Sequence, residues 1–361
     1  MRTIDDGKET AMAIQFKCEP ISVEVLDPAG KPVQYTLERR FDPLTSRSSL
    51  ICPTLREKWR TFYGCRDEQW LRQISNESKR GCPFCSPTID QVIPRFPQNR
   101  VPEGVLKFGD VYVFPNLFPR TEFEAVVTSS NVHFLNLNEF TEQLLYGMLT
   151  AAFECISRVY SLDNSLAYPV VGTNYLPPAG ASLIHFHQQI AMQKVPFTHI
   201  RNLMECSARY GEAQNNSFWQ DFMAANDERR IEQSGNIYWY VPFAPSGSCE
   251  VQAIVNACNF LQFEAEDMRN LARGLCNVLK YYHHRGFDSF NCLIYSGSLQ
   301  EPDGFRAGLS IITRPNVRRN YSSIDSWFMP LMLRETVVPE RPEELAREIR
   351  AYLQGGATPC H

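Results

Sequence analysis

No stretch of this 361-residue chain holds the roughly 18 to 20 consecutive apolar residues that a helix needs to cross a bilayer, so no membrane partner is expected. Charge of one sign is equally lacking as a block. Lys plus Arg number 36 against 40 Asp plus Glu, a net charge of −4, and the basic footprint of a nucleic-acid-binding surface is missing, so no nucleic-acid partner is expected. The opening residues, MRTIDDGKETAMAIQF, contain neither a continuous apolar core nor a small-residue cleavage site, and read as a polar, frayed end and not a secretory signal. The 43% hydrophobic and 21% charged content excludes a disordered, collagenous or coiled-coil chain. What remains is a globular protein of one large domain or two to three ordinary ones.

Cysteine is present but thinly spread. Twelve in a chain long enough to bury a large core do not make a disulfide scaffold. Cys155, Cys258, Cys276 and Cys292 sit singly in apolar or helical runs, where the plain reading is a small buried hydrophobe. Cys82 and Cys85 alone have ligand-like spacing, and a reducing, cytoplasmic compartment is expected.

Along the chain, residues 17–37 read as two short strands around a DPAGKP turn, and 66–80 as a short helix. From residue 105 the pattern sharpens. VLKFGDVYVFPN and FEAVVTSSNVHFL are strand-like, and Asn138 is placed to cap a long helix whose apolar residues recur at three-to-four spacing through EFTEQLLYGMLTAAFECISRVY. A strand (LAYPVVGTN), a Pro–Gly loop and a further strand over LIHFHQQIAM complete the unit. The same order returns about 126 residues later, in CEVQAIVNACNFL, EAEDMRNLARGLCNVLKYYHH, FNCLIYSG and RAGLSIITRP. A period of this length is a duplicated α+β half and not a solenoid repeat. Two such halves can pair into one extended antiparallel sheet flanked by helices. The polar segment between them, about 200–236, suits a connection over the surface.

The chemistry concentrates in Ala179-Gly180-Ala181-Ser182-Leu183-Ile184-His185-Phe186-His187-Gln188-Gln189. On a strand, alternate residues share a face, so His185, His187 and Gln189 form a polar row with Ile184, Phe186 and Ile190 turned the other way. Such a row can hold a metal, a phosphate, or both. A neutral imidazole is a competent nucleophile towards phosphorus, and its adduct is labile enough to turn over. Gln189 can donate an amide hydrogen to a phosphoryl oxygen as charge builds there. Ser182 and nearby loop N–H groups are placed to hold the departing phosphate.

The His185-x-His187-x-Gln189 array resembles the histidine-triad superfamily, in the branch where Gln replaces the third His, and within it the galactose-1-phosphate uridylyltransferase-like family. The resemblance extends over about 38–353. It includes Arg39-Arg40-Phe41-Asp42-Pro43-Leu44-Thr45, similar to the family's R-x-D-P-L-T strand, and Phe114-Pro115-Asn116, similar to its F-P-N strand end. It implies that His187 is the nucleophile, that Gln189 stabilises the phosphoryl group, and that Asn116 contacts the ribose. Asn174 and the Gly180-Ala181-Ser182 loop fall where the family contacts nucleotide and phosphate. It also implies a structural zinc ion held by Cys82, Cys85, His133 and His185, and a homodimer. A redox dithiol for the Cys pair and a solvated loop residue for His133 are the plain alternatives.

Departures shape the expectation. Phe186 stands where the family usually has Pro, and Gln188 where it has Gly or Ser. Leu309-Ser310-Ile311-Ile312 replaces a region often rich in His, so no second metal is expected. Residues 328–338 lack the G-Y-E pattern that holds the hexose, which argues against galactose specificity. His283 and His284 read as dipole-compatible surface residues at a helix end, and His199 and His361 as residues without a sequence partner. FWQ (218–220) and YWYVPF (238–243) read most simply as core, with the lining of an acceptor pocket as the alternative.

The organisation expected is an N-terminal extension (1–37), a first histidine-triad-like half with nucleophile and zinc site (38–200), a connector (201–236), a degenerate second half (237–353) and a tail (354–361). The activity implied is transfer of a nucleoside monophosphate from a nucleoside-diphosphate-sugar donor to a phosphorylated acceptor through a nucleotidyl-histidine. The rivals are a phosphorylase that uses inorganic phosphate on such a donor or on a dinucleoside polyphosphate, and a non-catalytic zinc-stabilised nucleotide-binding protein. Hydrolysis fits least, because Gln189 cannot act as a general acid.

Overall fold

A computed structural model describes residues 14–300, 304–320 and 327–355. His361, most of the expected tail and the first 13 residues of the frayed start lie outside the described residues. The chain begins with strands β1 (Cys18–Leu26), β2 (Pro32–Phe41) and β3 (Ser48–Ile51). Helices α1 (Arg56–Tyr63), α2 (Glu68–Lys79) and the single turn α3 (Ile89–Val92) follow. Asp67 starts α2 by accepting the Trp70 N–H at 2.9 Å.

The first half then runs β4 (Leu106–Phe108), β5 (Val111–Pro115), β6 (Phe123–Ser129), α4 (Glu142–Leu162), β7 (Tyr168–Tyr175) and β8 (His187–Gln193). The capping residue of α4 is Thr141, which accepts the Leu144 N–H, and not Asn138, which lies in a preceding 3-10 turn. Helices α5 (Thr198–Gln214) and α6 (Phe218–Ala225) lead to β9 (Arg230–Ser234) and β10 (Ile237–Tyr240). The second half continues with β11 (Val251–Val255), α7 (Ala265–His284), β12 (Phe290–Tyr295) and β13 (Gly308–Thr313). Strand β14 (Thr336–Val338) and helix α8 (Pro342–Leu353) close the described chain.

Ten strands form one antiparallel sheet in the order β4-β5-β6-β8-β7-β12-β13-β11-β10-β9, as the duplicated halves predict. The order reads the same from either edge, with a pseudo-two-fold axis between β7 and β12 where Gly172 faces Leu293. The α+β architecture expected of two joined halves is therefore the one observed. A second sheet, β1-β2-β3-β14, brings the two ends of the described chain together through the parallel β3–β14 pair. Residues 37 and 38 both lie inside β2, and 201–236 carries most of α5, all of α6 and β9. That segment is not a bare surface connection: it buries Phe218, Trp219 and Phe222 against the second half.

Side chains directly opposite one another in a ladder share a face. One face, including Val113, Val127, Ile190, Ala253 and Ile311, packs beneath α4 and α7 in a single core that spans both halves. The other face carries the row Phe114, Val126, Gln189, Gly172, Leu293, Ser310, Gln252 and Tyr240, one residue from each of eight neighbouring strands. The candidate site lies on this second face. Among the described residues no helix is long and apolar enough to cross a membrane.

Candidate active site beside a four-residue metal cluster

β8 starts at His187, four residues later than the expected strand. Its burial alternates, with Phe186, Gln188, Ile190 and Met192 buried and His187 and Gln189 partly open on the other face. His185 stands outside the ladder and is buried, so the expected three-residue row is a pair, His187 and Gln189. His185 is diverted because its ring turns into a cluster with Cys82, Cys85 and His133. Its Nδ1 lies 3.4 Å from both Cys Sγ atoms and 3.4 Å from His133 Nδ1, and Cys85 Sγ lies 3.4 Å from His133 Nδ1.

These separations fit a tetrahedral ion. Bonds of about 2.0 Å to nitrogen and 2.3 Å to sulfur place neighbouring ligand atoms about 3.3–3.8 Å apart. The outer nitrogens are held as a metal site requires. His185 Nε2–H donates to the Ser129 carbonyl at 2.9 Å, which leaves Nδ1 as a bare lone pair facing the centre. His133 Nε2 pairs with Ser78 Oγ at 3.0 Å. Burial and the adjacent Cys82 thiol push Cys85 up to about 11, and burial lowers His185 to about 4. A dication supplies the charge that such a set lacks. The four residues can hold a metal, and His133 is a buried member and not a solvated loop residue.

The cluster reaches His187 through one carbonyl. His187 Nδ1–H donates to the His185 oxygen at 2.8 Å. A carbonyl only accepts, so this bond fixes the neutral tautomer with the proton on Nδ1 and the lone pair on Nε2. Burial also lowers the His187 pKa, which favours that neutral form. Phe84, inside the Cys-x-x-Cys loop, sets its ring edge-on to both His185 (5.7 Å) and His187 (5.6 Å) and touches Phe114 at 5.2 Å. Thr128 Oγ1 donates to the Phe186 carbonyl at 2.7 Å, which pins the strand between the two histidines.

Asn174 pairs with Asn291 across the pseudo-two-fold axis. Asn291 Nδ2 donates to Asn174 Oδ1 (2.7 Å) and to the Ala179 carbonyl (2.8 Å). The amide of Asn174 therefore presents its own N–H groups, and the loop before Gly180 is tied to β12. Gly180 takes a left-handed φ of 86° that ends the 3-10 turn and passes the chain to Ala181 and an exposed Ser182. Asn174, Gln189 and Gly172 line one cavity of about 270 Å³ with Asn291, Leu293 and Ser310. A Cβ on Gly172 would meet nothing within 4 Å, so this glycine leaves the cavity floor open.

Asn116 is the predicted contact with the most prior engagements. It donates Nδ2–H to Glu124 at 2.9 Å and accepts the Phe118 N–H, while Arg120 covers the same buried carboxylate. Sequence reasoning missed Asn291, Gly172, Phe84 and Glu124, which carry no motif and gain meaning only when strands pair. Arg314, which donates to the Pro178 carbonyl at 3.3 Å, also approaches the loop unannounced. His283, expected as a dipole-compatible surface residue, does lie in the last turn of α7 but is half-buried. Arg66 donates to its Nδ1 at 2.8 Å, and burial together with that guanidinium lowers its pKa.

No family model matches the chain. An uncharacterised protein of Archaeoglobus fulgidus is 27% identical over 340 residues, covering 93% of this chain and 98% of that protein. Among solved structures, a galactose-1-phosphate uridylyltransferase-like (GalT-like) protein of Arabidopsis thaliana superposes with a TM-score of 0.65 at 20% identity, over 87% of this chain and 98% of that one. An ADP-glucose phosphorylase of Arabidopsis thaliana with bound ADP-glucose gives the same 0.65, 20%, 87% and 98%. A uridylyltransferase gives 0.62 at 20% identity, over 70% of this chain and 87% of that one. The fold is shared with these proteins.

Proposed function

We propose that this chain, which has the fold of the GalT-like proteins of the histidine-triad superfamily, is a nucleotidyltransferase that works through a covalent His187 intermediate. The observation that carries the proposal is the His187 Nδ1–H bond to the His185 carbonyl, which frees Nε2 on the open face beside Gln189. Nε2 attacks the α-phosphorus of a nucleoside diphosphate sugar. The Nε2–P bond forms as the P–O bond to the leaving phosphate breaks, and the departing group is a sugar phosphate that needs no added proton. Nδ1 keeps its proton throughout, and the His185 carbonyl steadies the positive charge that develops on the ring. An acceptor phosphate oxygen then attacks phosphorus and returns His187 to its neutral state.

Phe84 and Phe114 offer an apolar wall for the nucleoside on the β5 side, with Asn116 at its edge for the ribose. The cavity over Gly172, with the amide N–H groups of Asn174 and Gln189, receives the phosphate and the leaving group. Gly180, Ala181 and Ser182 close that end. In this reading the ion at Cys82, Cys85, His133 and His185 is zinc, with the structural task of fixing His185, and no step passes through it. The protein is also read as a cytoplasmic homodimer, in keeping with exposed Phe328, Leu331 and Met332 on one turn of chain.

Intact-protein mass spectrometry tests the mechanism. Incubation with UDP-, ADP-, GDP-, CDP- and dTDP-sugars is expected to add one nucleoside monophosphate with one donor class, and His187→Ala is expected to remove the adduct and cut turnover about 10⁴-fold or more. Retained turnover in His187→Ala would overturn it. Discharge of the isolated adduct by inorganic phosphate or by a sugar phosphate separates phosphorylase from transferase. The former outcome accords with the ADP-glucose phosphorylase among the proteins of similar fold.

A further inference from the structure

The pseudo-two-fold axis carries the active-site face of the first half onto a second groove. It relates Gln189 to Ser310, His187 to Gly308, Asn174 to Tyr295 and Phe114 to Tyr240, because each pair holds the same register in its ladder. The nucleophile cannot be restored there by one change. A Cβ on Gly308 would lie 2.6 Å from the Ala253 carbonyl oxygen and 2.6 Å from the Tyr295 hydroxyl, so Tyr295 occupies the space a histidine would need. The groove itself is retained, as a cavity of about 330 Å³ that meets the active-site cavity at Leu293 and Ser310.

We propose that this second groove is a non-catalytic binding site for an uncharged hexopyranose ring. Its walls are aromatic and its polar groups suit hydroxyls. Trp219, Tyr240 and Tyr295 line it together with Asp42, Glu250 and His199. Trp219 is among the lining residues and is buried, and its indole N–H has no partner among the described residues. Asp42 uses one carboxylate oxygen, Oδ1, on Leu44 and Thr45, and among the described residues its Oδ2 accepts no hydrogen bond, which leaves it for a hydroxyl hydrogen. Glu250 is held by Ser310 Oγ (2.7 Å), Gln252 Nε2 (2.7 Å) and the Ser246 N–H, so the floor is already organised.

Charge excludes a phosphoryl group. The one guanidinium, Arg47, donates to the carbonyls of Ala244 and Pro245, and burial lowers the His199 pKa towards a neutral ring. Two carboxylates then face any anion. The lining rings meet edge-on, Trp219 at 86° to Phe218 and Tyr240 at 67° to Phe222, while Phe218 and Phe222 stack on each other at 21°. Ser310 lies three strands from Gln189, about 14 Å at the usual strand spacing. A sugar in this groove is therefore too far from His187 to be the group cleaved there, and the proposal does not depend on the activity assigned to the first half.

Saturation-transfer NMR and calorimetry with D-glucose, D-galactose and D-mannose test it on the full chain, with glucose 1-phosphate and adenosine as contrasting probes. At least one free hexose is expected to bind, with a Kd in the millimolar range typical of small neutral ligands, and equally in wild type and His187→Ala. Trp219→Phe, which keeps an aromatic ring and removes the orphan donor, is expected to weaken binding about fivefold or more. Gln252→Leu, which loosens Glu250 without touching Trp219, is expected to weaken it too, with circular dichroism confirming both folds. Binding by none of the hexoses, loss of binding in His187→Ala, indifference to both groove variants, or preference for glucose 1-phosphate or adenosine would each overturn the proposal.

Discussion

The tautomer of His187 that the proposed mechanism uses is set by a bond to a backbone oxygen two residues away, in the residue whose ring bonds the Ser129 carbonyl. The same low-dielectric surroundings act in the opposite direction on Asp288. Its carboxylate accepts the Val317 N–H at 3.1 Å, yet burial raises it to about 7 despite that bond and Arg66. The folded chain thus keeps a proton that the unfolded chain releases near its ordinary value of 3.8. Stability from this group is fully present below about pH 4 and is lost as pH rises through 7, a change on the order of 4 kcal/mol. Asp288→Asn, which can still accept the Val317 N–H, is expected to flatten that slope. Denaturant midpoints at pH 5 and pH 8 check it: wild type should lose clearly more than the variant. The same loss in both proteins would mean that Asp288 stays ionised in the fold.

At the scale of elements, the metal cluster joins three loops that ladders do not reach: the turn after α2, the turn after β6 and the lead into β8. Backbone bonds reinforce it, from Ser86 N–H to the Ser130 carbonyl (3.1 Å) and from Phe186 N–H to the His133 carbonyl (3.1 Å). Cys82→Ser is therefore expected to release the zinc proposed there and cost about 2–4 kcal/mol, less than the roughly 10 kcal/mol of peptides whose whole fold waits on the ion. Metal analysis and calorimetry read this directly, and unchanged zinc content with an unchanged Tm would remove the ion from the account. Many of these elements were legible in the sequence, since β5, β6, α4 and, in the second half, β11 and α7 announce themselves by alternation or three-to-four spacing, whereas β10 read as core and not as a strand. The delayed start of β8 was not, because a histidine drawn aside by a metal cluster looks the same in sequence as one in a strand. Helix α1 was hidden within a basic stretch, and the β3–β14 pair joins segments whose proximity only the fold creates. Asn291 and Gly172 share that limit: a glycine under a cavity and an asparagine holding another asparagine have no spacing to betray them.

Across the whole molecule, duplication predicts two halves but not how strongly they depend on one another. The β7–β12 ladder pairs six residues on each side of the axis, and one apolar core runs under both halves through α4 and α7. That continuity predicts a single cooperative transition. Gly274 of α7 provides a probe remote from the first-half site. A Cβ there would clash with the buried Trp239 ring of β10, a rigid neighbour that cannot give way cheaply. Gly274→Ala gains helix propensity of about 1 kcal/mol, but the forced displacement costs more, so a net loss of about 1–3 kcal/mol is expected. If the halves share one core, the lowered transition appears equally in the fluorescence of a background in which Trp59, Trp70, Trp219 and Trp327 are replaced by Phe, so that Trp239 alone reports, and in zinc release to a chromogenic chelator, which reports the first half. Zinc release that keeps its wild-type midpoint while fluorescence shifts would show that the halves unfold separately. The cavity that Asn174 and Gln189 share with Asn291, Leu293 and Ser310 would then be walled by two units of separate stability.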